Sequence, residues 1–186
     1  MKKLFMSMKP AIVCFAVMTL LCGVFYTGVV TGIGRIVFPR QANGSIMKVA
    51  LDNGSVMEYG SELIAQEFSD AKYLIGRPMV PSNLSVTGKE MALLVQKRID
   101  WLKSIDPGNG KDIPIDLVTA SGSGVDPYIS PEAAQYQIER IARTRGLSMD
   151  EVRSVIQKHT KGKFLGLWGE EGVNVLKVNL ALDGLL

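Results

Sequence analysis

The sequence predicts a single N-terminal transmembrane helix followed by a compact α+β domain with a small sheet. Residues 10–34 contain no charged residue, alternating stretches with glycine-rich turns follow them, and later stretches with helical spacing begin at capping motifs. As a helix, residues 10–34 would span about 37 Å, against about 30 Å for the hydrocarbon core of a bilayer. The rest of the chain is long enough for one domain with its own core.

We therefore divide the chain into an N-terminus (residues 1–9), a transmembrane helix (residues 10–34) and a soluble α+β domain (residues 35–186). The alternative for the apolar segment is a cleaved signal peptide, because lysines precede it. Its apolar run is longer than that of a signal peptide, and no small-x-small cleavage site follows it cleanly.

Positive charge is unevenly placed around the span. Three lysines and the α-amino group precede it, and two arginines follow it: Lys2, Lys3, Lys9, Arg35 and Arg40. The positive-inside rule then predicts a single-pass protein of the cell (plasma or inner) membrane with a cytoplasmic N-terminus and an extracytoplasmic domain.

Charge and cysteine usage argue against nucleic-acid binding and against a domain held by disulfides. Residues 1–40 contain five Lys or Arg and no acid, whereas residues 41–186 contain sixteen Lys or Arg and eighteen Asp or Glu. The near-neutral domain therefore offers no basic face for nucleic acid. Both cysteines, Cys14 and Cys22, lie in the span, so no disulfide holds the domain. A zinc or Ser-His-Asp site would depend on the single histidine, His159, for which capping of a helix end is the simpler interpretation.

The domain is predicted to begin with a β-hairpin. Residues 45–51 and 56–59 alternate, and residues 52–55 form the turn between them. Ser61 then predicts the N-cap of a helix that carries Leu63, Ile64 and Phe68 and ends before Gly76. A surface loop of about fifteen residues follows, in which Pro78, Pro81, Asn83 and Gly88 occur.

Three helices are predicted after this loop. The first opens with a capping box, Thr87 to Glu90, and reaches Ile105. The second covers residues 131–145, with Ser130 as N-cap and Gly146 as terminator, and the third opens with a capping box at Ser148 and ends near Gly162. In the second helix the apolar face comprises Ala134, Ile138, Ile141 and Ala142, and the outward-facing arginines are Arg140, Arg143 and Arg145. The tail, residues 173–182, is predicted as a strand with Leu176, Val178 and Leu180 on one face.

Residues 116–134 are the most strongly specified stretch. The apolar residues 115–118 predict a strand, which leads through Ser121-Gly122-Ser123-Gly124 and two proline dipeptides into the second helix. Such a fixed backbone indicates a loop with a defined role.

This stretch resembles the C subunit of the Kdp potassium-transporting P-type ATPase. The resemblance also rests on residues 41–45 (Gln-Ala-Asn-Gly-Ser), on residues 60–64 leading to Gly-Arg-Pro at 76–78, and on residues 173–179. It covers nearly the whole chain. Two departures are that many relatives have His where Tyr128 stands, and that residues 79–89 are variable in the family.

The resemblance implies a non-catalytic accessory subunit of a high-affinity, ATP-driven potassium uptake pump, required for assembly and activity. Its implied partners are a channel-like potassium-binding subunit, on which the domain would rest, and an ATP-hydrolysing P-type subunit. The span would pack against them at its small residues, which are Gly23, Gly28, Gly32 and Gly34.

The resemblance also implies a catalytic chaperone that raises the ATP affinity of the pump subunit. Its nucleotide contacts would be Gln41, Asn43 and Ser45, without a firmly bound cofactor. This role conflicts with the predicted topology, because an extracytoplasmic Gln41 faces away from the ATP pool.

The loop residues proposed for docking or structure are Asp116, Thr119, Ser121, Gly122, Ser123, Gly124, Asp126 and Pro127. The alternative is a membrane-anchored extracytoplasmic enzyme or an anion-binding module that uses residues 121–126. The loop lacks the GK[ST] ending of a P-loop and the G-x-S-x-G of a nucleophile elbow. Asp116 and Asp126 could form an acid/base pair, but Asp beside a turn commonly bonds local backbone. We predict no catalytic residue and no metal ligand.

Overall fold

The computed structural model describes residues 2–51, 54–79, 83–163 and 165–186, with side chains from residue 8 onward. The chain divides into two units, Met1–Ile46 and Met47–Leu186. This agrees with the predicted fold class, an N-terminal apolar helix followed by a domain that mixes helices with small antiparallel sheets.

The first unit is built on one long helix. It comprises α1 (Lys2–Met18), a π-helical segment (Thr19–Tyr26) and α2 (Thr27–Val37), and a short helix α3 (Pro39–Ala42) follows. In the π segment the wider turn lets the Thr27 hydroxyl donate a hydrogen bond to the carbonyl five residues earlier, at 2.8 Å. Among the described residues, one helix is long and apolar enough to cross a membrane, Met8–Val37, with a mean hydropathy of 2.2.

The second unit begins with the predicted hairpin. Strands β1 (Ile46–Ala50) and β2 (Val56–Ser61) form a two-stranded sheet. Residues 52 and 53 of the predicted turn lie outside the described residues, as does Pro81 of the predicted surface loop. The hairpin prediction is confirmed.

The helix predicted after Ser61 is wrong. Residues 62–78 contain turns and extended chain, although Ser61 Oγ does accept a hydrogen bond from the Leu63 N–H, at 3.1 Å. The backbone of Leu74 and Ile75 is bonded to buried side-chain amides from two distant helices. These tertiary hydrogen bonds replace the i to i−4 bonds of a helix.

Helix α4 (Lys89–Ile105) is confirmed, whereas its predicted capping box is wrong. Gly88 is the N-cap, and no side chain caps this end of the helix. The Thr87 hydroxyl lies 3.2 Å from the Ser85 hydroxyl.

The strand predicted at residues 115–118 is also wrong. Ile115–Leu117 is a 3₁₀ turn, and the Leu117 N–H bonds to the carbonyl of Pro114, at 3.0 Å. Leu117 is fully buried whereas Ile115 is 70% exposed, so this apolar run does not mark a buried strand.

The second unit also contains a three-stranded antiparallel sheet, in the order β3-β5-β4. Its strands are β3 (Tyr128–Ile129), β4 (Thr160–Lys161) and β5 (Gly172–Asn174). Tyr128 is opposite Asn174, and Thr160 is opposite Val173.

The tail prediction is confirmed only for residues 173–174. From Val175 to Leu182 the chain forms helix α7, because the Asn174 side chain caps it by accepting a hydrogen bond from the Lys177 N–H, at 3.0 Å. The alternating residues predicted to share a strand face, Leu176, Val178 and Leu180, are all buried. Their spacing therefore fits a helix that is covered on more than one side.

Helices α5 (Pro131–Arg145) and α6 (Met149–Lys158) have the predicted caps. Ser130 Oγ accepts from the Ala133 N–H, Gly146 adopts φ +68°, and Ser148 forms a reciprocal capping box. Helix α6 ends at Lys158, before the predicted Gly162. The predicted apolar face of α5 is buried in a cluster with α6, β5, α7 and residues 74–75.

The outward orientation predicted for the arginines of α5 is wrong for two of them. Arg140 is 2% exposed, and the Arg145 side chain is 12% exposed and forms an ion pair with Asp183 at 2.7 Å. Arg143 is half-exposed, yet its guanidinium lies 2.6 Å from the buried carboxylate of Asp106. Their charges therefore belong to the packing of the domain.

Candidate functional site

The central loop is closed by its own side chains. Ser121 Oγ accepts a hydrogen bond from the Gly124 N–H at 3.0 Å, and Ser123 Oγ accepts one from the Val125 N–H at 3.2 Å. Gly124 has φ +71°, a conformation that glycine adopts without strain. The two hydroxyls thus fix the turn that the glycine permits.

The two acids of the loop bond backbone N–H groups as well. Asp126 Oδ1 accepts from the Tyr128 N–H at 3.0 Å, and Asp116 Oδ2 accepts from the Ser130 N–H at 2.7 Å. The second bond joins the 3₁₀ turn to the N-cap of α5. The Asp126 contact is the local one predicted for an Asp beside a turn, whereas Asp116 bonds backbone 14 residues away, so the local bond predicted for Asp116 is wrong.

The loop is also attached to chain far away in sequence. The Pro127 carbonyl accepts from the Val175 N–H at 3.1 Å, and the Val125 carbonyl accepts from the Ala65 N–H at 2.8 Å. Arg77 donates to the carbonyl of Thr119 at 3.3 Å. The loop is therefore held from three sides.

These bonds bear on anion binding. The N–H groups of Gly124, Val125 and Tyr128, which could have faced an anion, already donate to side chains of the loop. The Thr119 hydroxyl donates to the Ile115 carbonyl at 2.8 Å. The described side chains of Thr119, Ser121, Ser123 and Asp126 therefore all bond backbone groups two to four residues away.

A groove that the sequence did not reveal lies next to the loop. It has a volume of about 630 Å³ and a mainly apolar lining from α4 and from residues 118–120. Arg98 stacks on the ring of Trp101, 4.1 Å from its centroid, and donates to the Leu117 carbonyl at 3.0 Å. Burial lowers the pKa of Arg98, and the charge of Glu67 partly opposes this. The sequence signal for this groove is the spacing of Leu94, Arg98 and Trp101, which places them on one face of a helix.

The residues proposed for nucleotide contact belong to the first unit. Asn43 Nδ2 donates to the Pro39 carbonyl at 2.6 Å, and the Ser45 N–H donates to the Arg40 carbonyl at 2.9 Å. Gly44 and Ser45 have φ +80° and +50°, which makes a sharp turn after α3. Gln41 is exposed on this turn. The described geometry therefore assigns Asn43 a capping contact and leaves the Gln41 side chain accessible.

His159 is the C-terminal cap residue of α6. Burial lowers its pKa, as do the charges of Lys177 and Lys158, so the neutral ring is favoured over the cation expected near a helix end. In the part of the chain that the structure describes, no group of three or more His, Cys, Asp or Glu side chains could hold a metal ion.

The sequence matches the family model described as K⁺-transporting ATPase, c chain, over residues 8–184. The chain belongs to the KdpC family. It is 50% identical over 188 residues to the potassium-transporting ATPase KdpC subunit of Listeria welshimeri. This alignment covers 100% of this chain and 99% of the relative. It is 45% identical over 205 residues to the KdpC subunit of Clostridium botulinum, with 100% of both chains covered. The predicted resemblance is thus confirmed.

Membership of the KdpC family also confirms the prediction of an accessory subunit. The relatives are named as a subunit of a potassium-transporting ATPase. The central loop and the residues after the span, by which the resemblance was first identified, lie within the matched range. Their individual roles stay predictions.

Proposed function

We propose that this chain is the non-catalytic KdpC subunit of an ATP-driven potassium uptake pump and is required for the assembly and activity of that complex. The observation that carries the proposal is the family match over residues 8–184, which includes both the candidate span and the domain. The central loop supports it, because its hydroxyls and carboxylates hold backbone groups instead of facing a substrate.

The proposed partners are the channel-like potassium-binding subunit and the ATP-hydrolysing P-type subunit of the same complex. The span supports this contact, since Gly28 and Gly32 lie four residues apart on one side of the helix, and a Cβ added at either would meet no described atom within 4 Å apart from adjacent residues and the helix's own backbone. Small residues in a membrane helix allow a neighbouring helix to approach closely. A partner helix on this side would bury the glycine backbone.

The proposed orientation places the N-terminus in the cytoplasm and the domain outside. The resemblance assigns nucleotide contact to Gln41, which would need the opposite orientation. Both proposals cannot hold, because ATP is on the cytoplasmic side. One topology experiment therefore decides between them.

The experiment uses single cysteines in full chains that lack Cys14 and Cys22. Asn43→Cys and Ser104→Cys place a thiol at exposed positions after the span, and Ser7→Cys places one before it. A membrane-impermeant thiol reagent applied to intact cells should label positions 43 and 104 and spare position 7. The reverse pattern would overturn the orientation and support ATP contact at Gln41.

The accessory role is tested in the assembled complex. Membranes that contain the other pump subunits but lack this chain should show little potassium-stimulated ATP hydrolysis, and co-expression of the chain should restore it. The chain should also co-purify with those subunits in mild detergent. Full activity without the chain would contradict the proposal.

A further inference from the structure

The loop between β4 and β5 exposes large apolar side chains. Leu165, Leu167 and Trp168 are 73%, 77% and 63% exposed, and every described residue from 161 to 171 is exposed. We call residues 165–169 the β4–β5 tip. Large apolar side chains that are concentrated in one exposed turn indicate an interaction site, because they do not pack in the core.

The backbone of the tip is a specified turn. Gly166 and Gly169 have φ +72° and +88°, and Leu165 has φ +51°. The Gly166 N–H donates to the Lys163 carbonyl at 3.2 Å. Positive φ is energetically unfavourable for leucine, so this turn exposes the three side chains at a cost in backbone strain at Leu165.

The residue types suit the surface of a bilayer. Tryptophan favours the headgroup region, where its ring is partly apolar and its N–H is hydrated, and leucine favours the acyl chains below. Lys161 and Lys163 precede the tip and have long side chains that can reach lipid phosphates. Glu170 and Glu171 follow it, so the net charge of the flanks is small and apolar contact must supply most of the affinity.

The domain is also tethered close to a membrane. The candidate span ends at Val37 and the second unit begins at Met47, so the chain connects them through residues 38–46. A short tether raises the local concentration of lipid, and a weak contact then suffices. This favours a bilayer over a protein partner, which would need a complementary pocket for a protruding turn.

We propose that the β4–β5 tip inserts Leu165, Leu167 and Trp168 into the headgroup region of the membrane that anchors the chain. The inference rests on the anchor in the proposed function and does not depend on the pump partners. The inserted tip would give the domain a second attachment to the bilayer and so limit its rotation about the tether.

The chain contains two tryptophans, which allows a matched test. Trp101 is half-buried against the core of the same domain, whereas Trp168 is at the tip. The full chain is reconstituted in phosphatidylcholine vesicles with acyl-brominated lipid, as Trp101→Phe to report on Trp168 and as Trp168→Phe to report on Trp101. We expect at least twofold stronger quenching of Trp168, although both residues share one tether.

Further variants test the apolar basis of the contact. Leu165→Ser combined with Leu167→Ser in the Trp101→Phe chain should reduce Trp168 quenching to the level of Trp101. Raising the salt concentration from about 0.1 to 1 M should change the quenching by less than twofold, because screening acts on charges and not on apolar contact. If Trp101→Phe does not fold, 5-fluorotryptophan in the unaltered sequence gives two ¹⁹F signals, and paramagnetic lipid should broaden that of Trp168 alone.

Equal quenching of the two tryptophans would overturn the proposal. So would a Trp168 that is protected only after the other pump subunits are added, since the tip would then be a protein contact. Extraction of the unaltered chain by alkaline carbonate would contradict the anchor itself, and the tip proposal with it. Retention of the chain in the membrane with an unquenched Trp168 would overturn the tip proposal alone.

Discussion

Arg140 joins α5 to an irregular segment through the core of the domain. Its guanidinium donates to the carbonyls of Ala71 and Tyr73 and to Gln137 Oε1, the last at 2.6 Å. Burial lowers its pKa to about 10, so it is still a cation at neutral pH. Backbone carbonyls and an amide oxygen thus solvate a charge that is removed from water.

Arg140→Met should lower the free energy of unfolding by about 2–4 kcal/mol, because it removes the donor from two partly buried carbonyl groups and from the buried Gln137 amide oxygen. Unfolding of the full chain in detergent, followed by tryptophan fluorescence, measures this. The matched control is Arg153→Met on α6, where the lost ion pair with Asp150 is on the surface. The control should change the free energy by less than about 1 kcal/mol. Equal losses would show that the buried guanidinium has no special role.

His159 should make the stability depend on pH. Its pKa is lowered in the folded chain by burial and by Lys177 and Lys158, and unfolding returns it towards the ordinary value. Between the two pKa values the unfolded chain binds more protons, so the free energy of unfolding falls as the pH falls below about 6.5.

Comparison of the unaltered chain with His159→Gln at about pH 7.5 and 5.5 measures this contribution. The variant should lose less stability on acidification. Glu151, whose pKa the Ser148 hydrogen bonds lower, loses its contribution only at more acidic pH, so it does not confound the comparison. The same pH dependence in both chains would contradict the assignment to His159.

At the scale of elements, two side-chain amides act as strand partners for an irregular segment. Asn179 of α7 accepts from the Leu74 N–H at 2.7 Å and donates to its carbonyl at 2.9 Å. Gln137 of α5 does the same for Ile75, at 2.8 and 3.0 Å. The amides satisfy buried backbone groups that no neighbouring strand reaches, and they tie both helices to one segment.

Asn179→Leu keeps the size of the side chain and removes both hydrogen bonds. We expect a loss of about 2–4 kcal/mol in the free energy of unfolding, since the N–H and carbonyl of Leu74 stay buried without partners. Gln157→Leu on the exposed face of α6 is the matched control and should be nearly neutral. Denaturant unfolding of both variants tests this, and equal stability would contradict the role assigned to Asn179.

At the scale of the whole molecule, an apolar anchor is joined to a near-neutral domain. We expect the glycines of the anchor to serve contacts with other chains, because small residues in a membrane helix let a neighbouring helix approach closely. Apart from adjacent residues and its own helix backbone, an added Cβ at Gly32 would meet no described atom within 4 Å. A substitution there should leave the fold of the domain unchanged and act on assembly alone.

Gly32→Leu should reduce co-purification with the other pump subunits by about tenfold, because the larger side chain separates neighbouring helices. Val30→Leu, two residues away, adds one methylene without affecting a small position, and it should co-purify normally. Recovery of the subunits is measured by affinity purification of the tagged chain in mild detergent. Equal recovery of both variants would show that the partner helix does not approach at Gly32.

The candidate site could be predicted only in part. The turn contacts of Asp126 and Ser121 could be predicted from residue type and position, because a short polar side chain reaches backbone two or three residues away. The groove could not be predicted, since Glu67, Arg98 and Val118 come from separate parts of the chain. The functional roles of both features stay predictions.

The sequence alone determined the elements whose causes are local. The candidate span follows from an uncharged run, and α5 and α6 follow from Ser130, Gly146 and Ser148, which cap them through bonds to near neighbours. Only the tertiary structure decided that residues 62–78 are irregular, that residues 115–117 turn, and that α7 is a helix. At Leu117 and in α7 an apolar side chain reports burial but not backbone conformation. In residues 62–78, hydrogen bonds from Asn179, Gln137 and Arg140 to the backbone of residues 73–75 compete with local ones. Those partners are 62 or more residues away in sequence, so no local window contains them.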